Sequence, residues 1–241
     1  MSEHKDPPSA ADSPGLAQAE SFLDRAAWTR ILPFGTYIFF IVLGDMLERA
    51  GLSRAELRWL YPVQVGAVLV LLIAFWRGYE ELHRFALSLA QVVVAGAAGI
   101  AVLACWVNLD APWMTIGAAS GYDPRTNGDI DWLLVTIRIA GAALVVPVME
   151  ELFWRSFLMR WMERSDFLML DPARIGFKAF VIPCLLFGFE HTLWLAGIVA
   201  GIAYGLLYVW HRKLWSPILA HAITNGLLGA WVVHTGGWQF W

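Results

Sequence analysis

Apolar runs of near bilayer-crossing length recur along the whole sequence, and about 20 mostly apolar residues are what a helix needs to span a membrane. They fall at 31–47, 60–76, 85–106, 132–149, 178–194, 195–210 and 214–234. This pattern predicts an all-α, polytopic membrane helix bundle of about seven transmembrane helices, within a range of six to eight. The fifth and sixth runs nearly touch, so that pair also reads as a tight re-entrant hairpin.

Composition excludes the soluble alternative. The 241 residues are 59% hydrophobic and only 15% charged, with a mean hydropathy of +0.57. Soluble domains average roughly 45–50% apolar and about 25% charged, so such a chain would lack the polar surface to stay in solution. The 14 tryptophans suit membrane interfaces, where amphipathic rings collect. A net charge of −3 without a basic block gives no reason to expect a nucleic-acid partner. Cys105 and Cys184 lie in apolar runs and read as small buried hydrophobes.

Residues 1–28, rich in Ser, Pro, Ala and acid at their start, read as a disordered tail. They lack a signal-peptide pattern, so the first span is expected to serve as the targeting signal. Residues 29–130 then form the N-terminal transmembrane helices and 131–241 a transmembrane core. The segment 107–131, with Pro112, Pro124 and Gly128, reads as the one long loop. The stretch 150–165 reads as a basic amphipathic helix leaving the membrane.

Basic residues set the orientation. With the N-terminus cytoplasmic, inner segments carry Lys5, Arg25, Arg30, Arg77, Arg84, Arg155, Arg160, Arg164, Arg174, Lys178, Arg212 and Lys213. Outer segments carry only Arg49, Arg54, Arg58 and Arg125. The chain is thus expected to be an integral, multi-pass protein, of the inner (plasma) membrane if its source is bacterial.

Ionisable residues inside spans are costly and mark function by default. Glu150 and Glu151 follow an apolar run, with Arg155 one turn on. Acid before base at i, i+4 is the favourable order for a helix ion pair. Pairing would hold Glu151 in a structural role and leave Glu150, about 100° around the helix, free to act as a base. The plain alternative is a solvated helix end. His191 ends another apolar run, and His221 and Asn225 share one face of the last span. A lone membrane histidine is usually a hydrogen-bonded packing residue. Two of them, with an amide and a carboxylate pair, supply a base, a polariser and oxyanion donors. Arg138, about 18 Å along the helix axis from Glu150, reads as a packing or snorkelling residue.

Three strings resemble the motif set of the CPBP family of CAAX-processing and bacteriocin-immunity intramembrane proteases. They are Glu150-Glu151-Leu152-Phe153-Trp154-Arg155, Phe187-Gly188-Phe189-Glu190-His191 and His221-Ala222-Ile223-Thr224-Asn225. The short, Trp-rich chain is also similar to the bacterial CAAX prenyl protease-related group found with exosortase sorting systems. The resemblance implies an endopeptidase that cleaves a membrane-associated or C-terminal, CAAX-like peptide with glutamate-activated water. It implies Glu150 as the base, His191 orienting the water, and His221 with Asn225 holding the oxyanion. Glu151 and Arg155 would organise the site. Glu190, an acid where the family motif leads one to expect an apolar or small residue, reads as a residue supporting a histidine or as a surface group. A functional link to an exosortase system is the implied partnership, beside the bilayer and the peptide substrate.

The same residues leave the metal open. No cofactor is required by the glutamate mechanism, while zinc on Glu150, His191 and His221 is the alternative; catalytic zinc takes three protein ligands and a water. Two other functions compete: a non-catalytic scaffold or immunity-type protein of the same family, and a proton-coupled transporter. The second would want paired broken spans in two repeat halves, and no repeat is visible. Other intramembrane proteases fit poorly. The string Gly117-Ala118-Ala119-Ser120-Gly121 has the wrong spacing for a GxSG serine site, and Gly44-Asp45 lacks the first glycine of GxGD.

Overall fold

The structure, a computed structural model, describes residues 23–117, 121–126 and 128–241. The tail up to residue 22 and Ser120 of the GxSG-like string lie outside the described residues. Among the described residues seven main helices follow one another: α1 (Arg25–Arg49), α2 (Arg54–Ala74), α3 (Leu89–Trp106), α4 (Trp132–Trp161), α5 (Phe177–Phe189), α6 (Trp194–His211) and α7 (Trp215–Thr235). All but α5 are long and apolar enough to cross a membrane. The protein is a multi-pass membrane helix bundle.

Contacts between connectors sort the helix ends into two groups. At one end, Arg30 of α1 donates to Glu81 between α2 and α3 (2.8 Å), and Arg212 between α6 and α7 pairs with Asp171. At the other end, Arg58 Nη1 donates to the Arg125 carbonyl at 3.3 Å, and Ile116 N–H donates to the Thr192 carbonyl at 2.8 Å. The 107–131 connector holds a small antiparallel hairpin, β1 (Arg125–Thr126) with β2 (Asp129–Ile130). It lies at this second end, as do the residues after α7, where Arg125 sits over the Trp238 ring. The α5–α6 turn reaches the same end.

α5 is shorter than its apolar run. At 13 residues it rises about 20 Å, short of the roughly 30 Å hydrocarbon core. It stops at Glu190, and a non-helical turn leads into Trp194. The α5–α6 hairpin is closed by glycines. A Cβ on Gly197 would sit 2.9 Å from the Gly188 Cα, and one on Gly201 would sit 3.0 Å from the Cys184 carbonyl. Small residues allow the backbones of membrane helices this close an approach.

α4 carries two π-helical stretches, Gly141–Val145 and Leu152–Leu158. Pro147 supplies a cause for the first: with no N–H it cannot donate to the carbonyl four residues back, and its ring crowds that carbonyl. The basic stretch after Glu151 is not an interfacial helix. α4 continues to Trp161, and Arg155, Ser156 and Arg160 are buried. Their charges find protein partners instead of headgroups: Arg160 and Arg30 both approach Glu81, whose carboxylate also accepts from the Ser156 hydroxyl.

Candidate active site

Glu150 and Glu151 sit between the two π stretches of α4, 3% and 0% exposed, and they face different surroundings. Glu151 Oε1 accepts from Arg155 Nη1 at 3.1 Å and from His221 Nδ1 at 2.9 Å. Arg155 is enclosed as well: its Nη2 donates to the Gly201 carbonyl at 3.2 Å, and its guanidinium lies 4.6 Å from the Phe187 ring centre. Glu151 therefore ties α4 to α7 while Arg155 ties it to α6. Glu150, by contrast, lines a cavity of about 250 Å³.

That cavity gathers most of the polar residues singled out in the sequence. Glu150, Glu190, His191, His221 and Asn225 all line it, delivered by α4, the α5–α6 turn and α7. His221 spends Nδ1 on Glu151 and turns Nε2 toward Glu150 Oε2, 4.0 Å away. Since the Glu151 carboxylate only accepts, Nδ1 is the protonated nitrogen of the ring. The imidazole stacks on Tyr204, with centres 4.8 Å apart and planes at 20°. Tyr204 is fixed in turn by its hydroxyl, which donates to Thr224 Oγ1 at 2.8 Å; Thr224 donates to the Gly99 carbonyl at 2.8 Å.

His191 is held in the same way. Its Nδ1 meets the Phe187 carbonyl at 2.7 Å, leaving Nε2 without a hydrogen-bond partner among the described residues. Trp106 packs edge-on against the ring with centres 5.2 Å apart. Asn225 donates from Nδ2 to the Ala142 carbonyl at 2.9 Å, a group in the π stretch before Pro147. One amide N–H of Asn225 is thus used in closing the helix interface, and the second remains.

Buried polar atoms with no hydrogen-bond partner among the described residues gather around this site: Glu150 Oε2, Glu151 Oε2 and Arg155 Nε. Unsatisfied groups in a low-dielectric interior are costly, and their clustering marks a site built to meet something else. The free Nε2 atoms and Glu150 have the chemistry of a zinc donor set. Among the described residues, no three His, Cys, Asp or Glu side chains stand close enough together to hold one ion.

Several contributors escaped the sequence reading. Arg138, read as a packing residue, lines the same cavity, as do Tyr37 of α1 and Tyr61 of α2. Tyr204 gave no signal in the sequence, while Thr224 was adjacent to a motif residue.

The family model "Type II CAAX prenyl endopeptidase Rce1-like" matches residues 132–227. Over this stretch the chain is similar to the CAAX-protease family. The match starts at the first residue of α4 and ends two residues beyond Asn225, so the matched stretch contains all three motifs. No curated protein and no solved structure matches the chain. The helices α1 and α2 lie outside the matched stretch, although they supply Tyr37 and Tyr61 to the wall of the cavity.

Proposed function

We propose that the chain is an intramembrane endopeptidase in which Glu150 activates a water molecule against a peptide bond. The observation that carries this reading is the convergence of Glu150, His191, His221 and Asn225 on one small cavity inside a membrane bundle. Water enters such a site rarely, and the groups lining it supply what hydrolysis needs. His191, with its free Nε2, orients the water. Glu150 takes the water proton as oxygen attacks the carbonyl carbon, and returns it to the nitrogen of the leaving amine. The negative charge that develops on the carbonyl oxygen meets the remaining Asn225 N–H, and His221 Nε2 when it carries a proton. Glu151 and Arg155 position His221 and act only through it.

The chemistry needs no metal in this scheme. Full hydrolysis in the presence of a strong zinc chelator supports that; loss of activity, restored by zinc alone, refutes it. For the substrate we propose a membrane-associated peptide cut near its C-terminus, and for the bacterial case one belonging to an exosortase sorting system. The N-terminus is proposed to be cytoplasmic. The cavity wall includes Thr192, Leu193 and Gln239, from the end of the bundle opposite the Arg30–Glu81 clasp, so this orientation opens the site to the outer face.

The test in cells compares the membrane proteome of a strain carrying the unmutated chain with one carrying Glu150→Ala. The expected result is a protein whose C-terminus is shortened only with the unmutated chain. Identical C-termini throughout would refute the reading.

A further inference from the structure

Arg138 is a cation in the first third of a membrane-spanning helix, and among the described residues no carboxylate pairs with it. Such a residue is expensive in a bilayer unless it meets a partner or a water-filled cavity. Arg138 lies between two cavities: the site cavity with Glu150, and a larger one of about 1160 Å³ bounded by α1, α2 and the 121–125 segment. Arg54 and Arg125 line the larger cavity too, but they are ion-paired with Glu48 and Asp123.

The surroundings of Arg138 fix its plane, and its edge meets the Tyr61 hydroxyl while Nε stays unpartnered. Its guanidinium carbon is 4.2 Å from the Tyr61 ring centre and 5.4 Å from that of Tyr122. Aromatic faces satisfy the flat sides of a guanidinium, whereas its N–H donors point outward in plane, in a fork that matches a carboxylate. Nε is buried with no hydrogen-bond partner. The Tyr61 hydroxyl also bonds to the Arg138 backbone carbonyl at 3.3 Å, which ties the ring to the helix beneath.

We propose that Arg138 is the anchor for a carboxylate of the substrate, set at a fixed distance from the hydrolytic centre. This rests on the protease reading of the same cavity. Twelve residues separate Arg138 from Glu150 on α4, about 18 Å of helix axis at most. An extended peptide covers roughly 3.3–3.6 Å per residue, so the carboxylate lies within about five residues of the bond that is cut. A free C-terminus meets that requirement, and so does an acidic side chain.

The test measures binding without turnover, on the full-length chain carrying Glu150→Gln, reconstituted in lipid nanodiscs. The probe is a fluorescently labelled apolar heptapeptide, made as the free acid, as the C-terminal amide, and as an amide whose last residue is glutamate. A charge-assisted hydrogen bond contributes enough for about a tenfold or larger change. The free acid is expected to bind at least tenfold tighter than the plain amide. Adding Arg138→Gln should abolish that difference, and Arg138→Lys should keep part of it. Recovery of binding by the glutamate-ended amide, dependent on Arg138, supports the anchor with a side chain among its sources; no recovery assigns it to the α-carboxylate. The acid–amide comparison needs no substitution at Arg138, so a folding failure of that variant does not blunt it. Equal binding of acid and amide, equal weakening of both by Arg138→Gln, or no binding of any form would overturn the proposal. Cleavage by the unmutated chain is read separately: selective binding with no cleavage sinks the protease reading and leaves the anchor standing.

Discussion

At the scale of single residues, the adjacent acids divide the work through their partners. Glu151 serves a buried arginine and a histidine at once through Oε1, while Glu150 Oε2 stands 4.0 Å from His221 Nε2, beyond hydrogen-bond reach. Removing one member of a buried ion pair strands the other charge, at a cost of about 3–5 kcal/mol. Glu151→Gln should therefore destabilise the fold by roughly that amount, and Glu150→Gln should leave stability unchanged or raised. Reversible unfolding in mixed micelles checks this, and a larger loss for Glu150→Gln than for Glu151→Gln would reverse the assignment. Part of this was legible in the sequence, because Glu151 and Arg155 stand one helical turn apart. The bond from His221 to Glu151 joins residues 70 apart in the chain, which local spacing cannot reveal. Arg138 packs on Tyr61 and Tyr122, in line with its reading as a packing residue, but the cavity it lines was hidden for a related reason. Its neighbours Tyr61 and Tyr122 arrive from other segments, and helix position alone made it look like a snorkelling side chain.

At the scale of elements, hydropathy marked the spans but not where they stop or loosen. The apolar run of α5 continues through Leu193 and Trp194, so only the structure shows the break at Glu190. Pro147 was the visible signal for the π stretch it follows, since a proline inside a span breaks the helix hydrogen-bond ladder; Asn225 bonds the Ala142 carbonyl within that stretch. The α5–α6 hairpin depends on backbone contact, and Gly197→Val forces a side chain into the Gly188 backbone. Overpacking of this kind costs about 1–3 kcal/mol. The variant should melt at lower temperature and hydrolyse peptide more slowly because His191 sits in that hairpin's turn; a wild-type melting temperature would contradict the packing. The clasp at the other end responds to acid. Burial works to raise the Glu81 pKa, but the Arg30 charge and hydrogen bonds, with the Ser156 hydroxyl, outweigh it and hold the carboxyl below its ordinary value. A depressed folded-state pKa means stability that is fully present above about pH 4.3, the unfolded value, and lost as pH falls through the folded one. Glu81→Gln should be less stable than the unmutated chain at neutral pH, with the gap closing below about pH 4. A gap independent of pH would show that the clasp carries no linked proton.

At the scale of the whole molecule, the seven-helix bundle followed from composition and run length, because a bilayer leaves a chain this apolar few alternatives. The shared cavity did not, since its walls come from all seven helices and from the segment after the last one. Its side of the membrane, proposed from the Lys and Arg distribution, can be tested directly. In a chain carrying Cys105→Ala and Cys184→Ala, exposed Asp129→Cys should react with a membrane-impermeant maleimide added outside intact cells. Exposed Arg174→Cys should react only after permeabilisation. The opposite pattern would invert the protein and turn the site toward the cytoplasm. The central claim is that Glu150 is the base of a peptide hydrolase, and its most direct test is the hydrolysis rate of the purified chain in nanodiscs on a substrate peptide found by comparing C-termini. Loss of a general base typically costs about 10²–10⁴ in rate, so Glu150→Gln should fall by at least a hundredfold with its melting temperature maintained. Hydrolysis by Glu150→Gln at the unmutated rate would contradict the account.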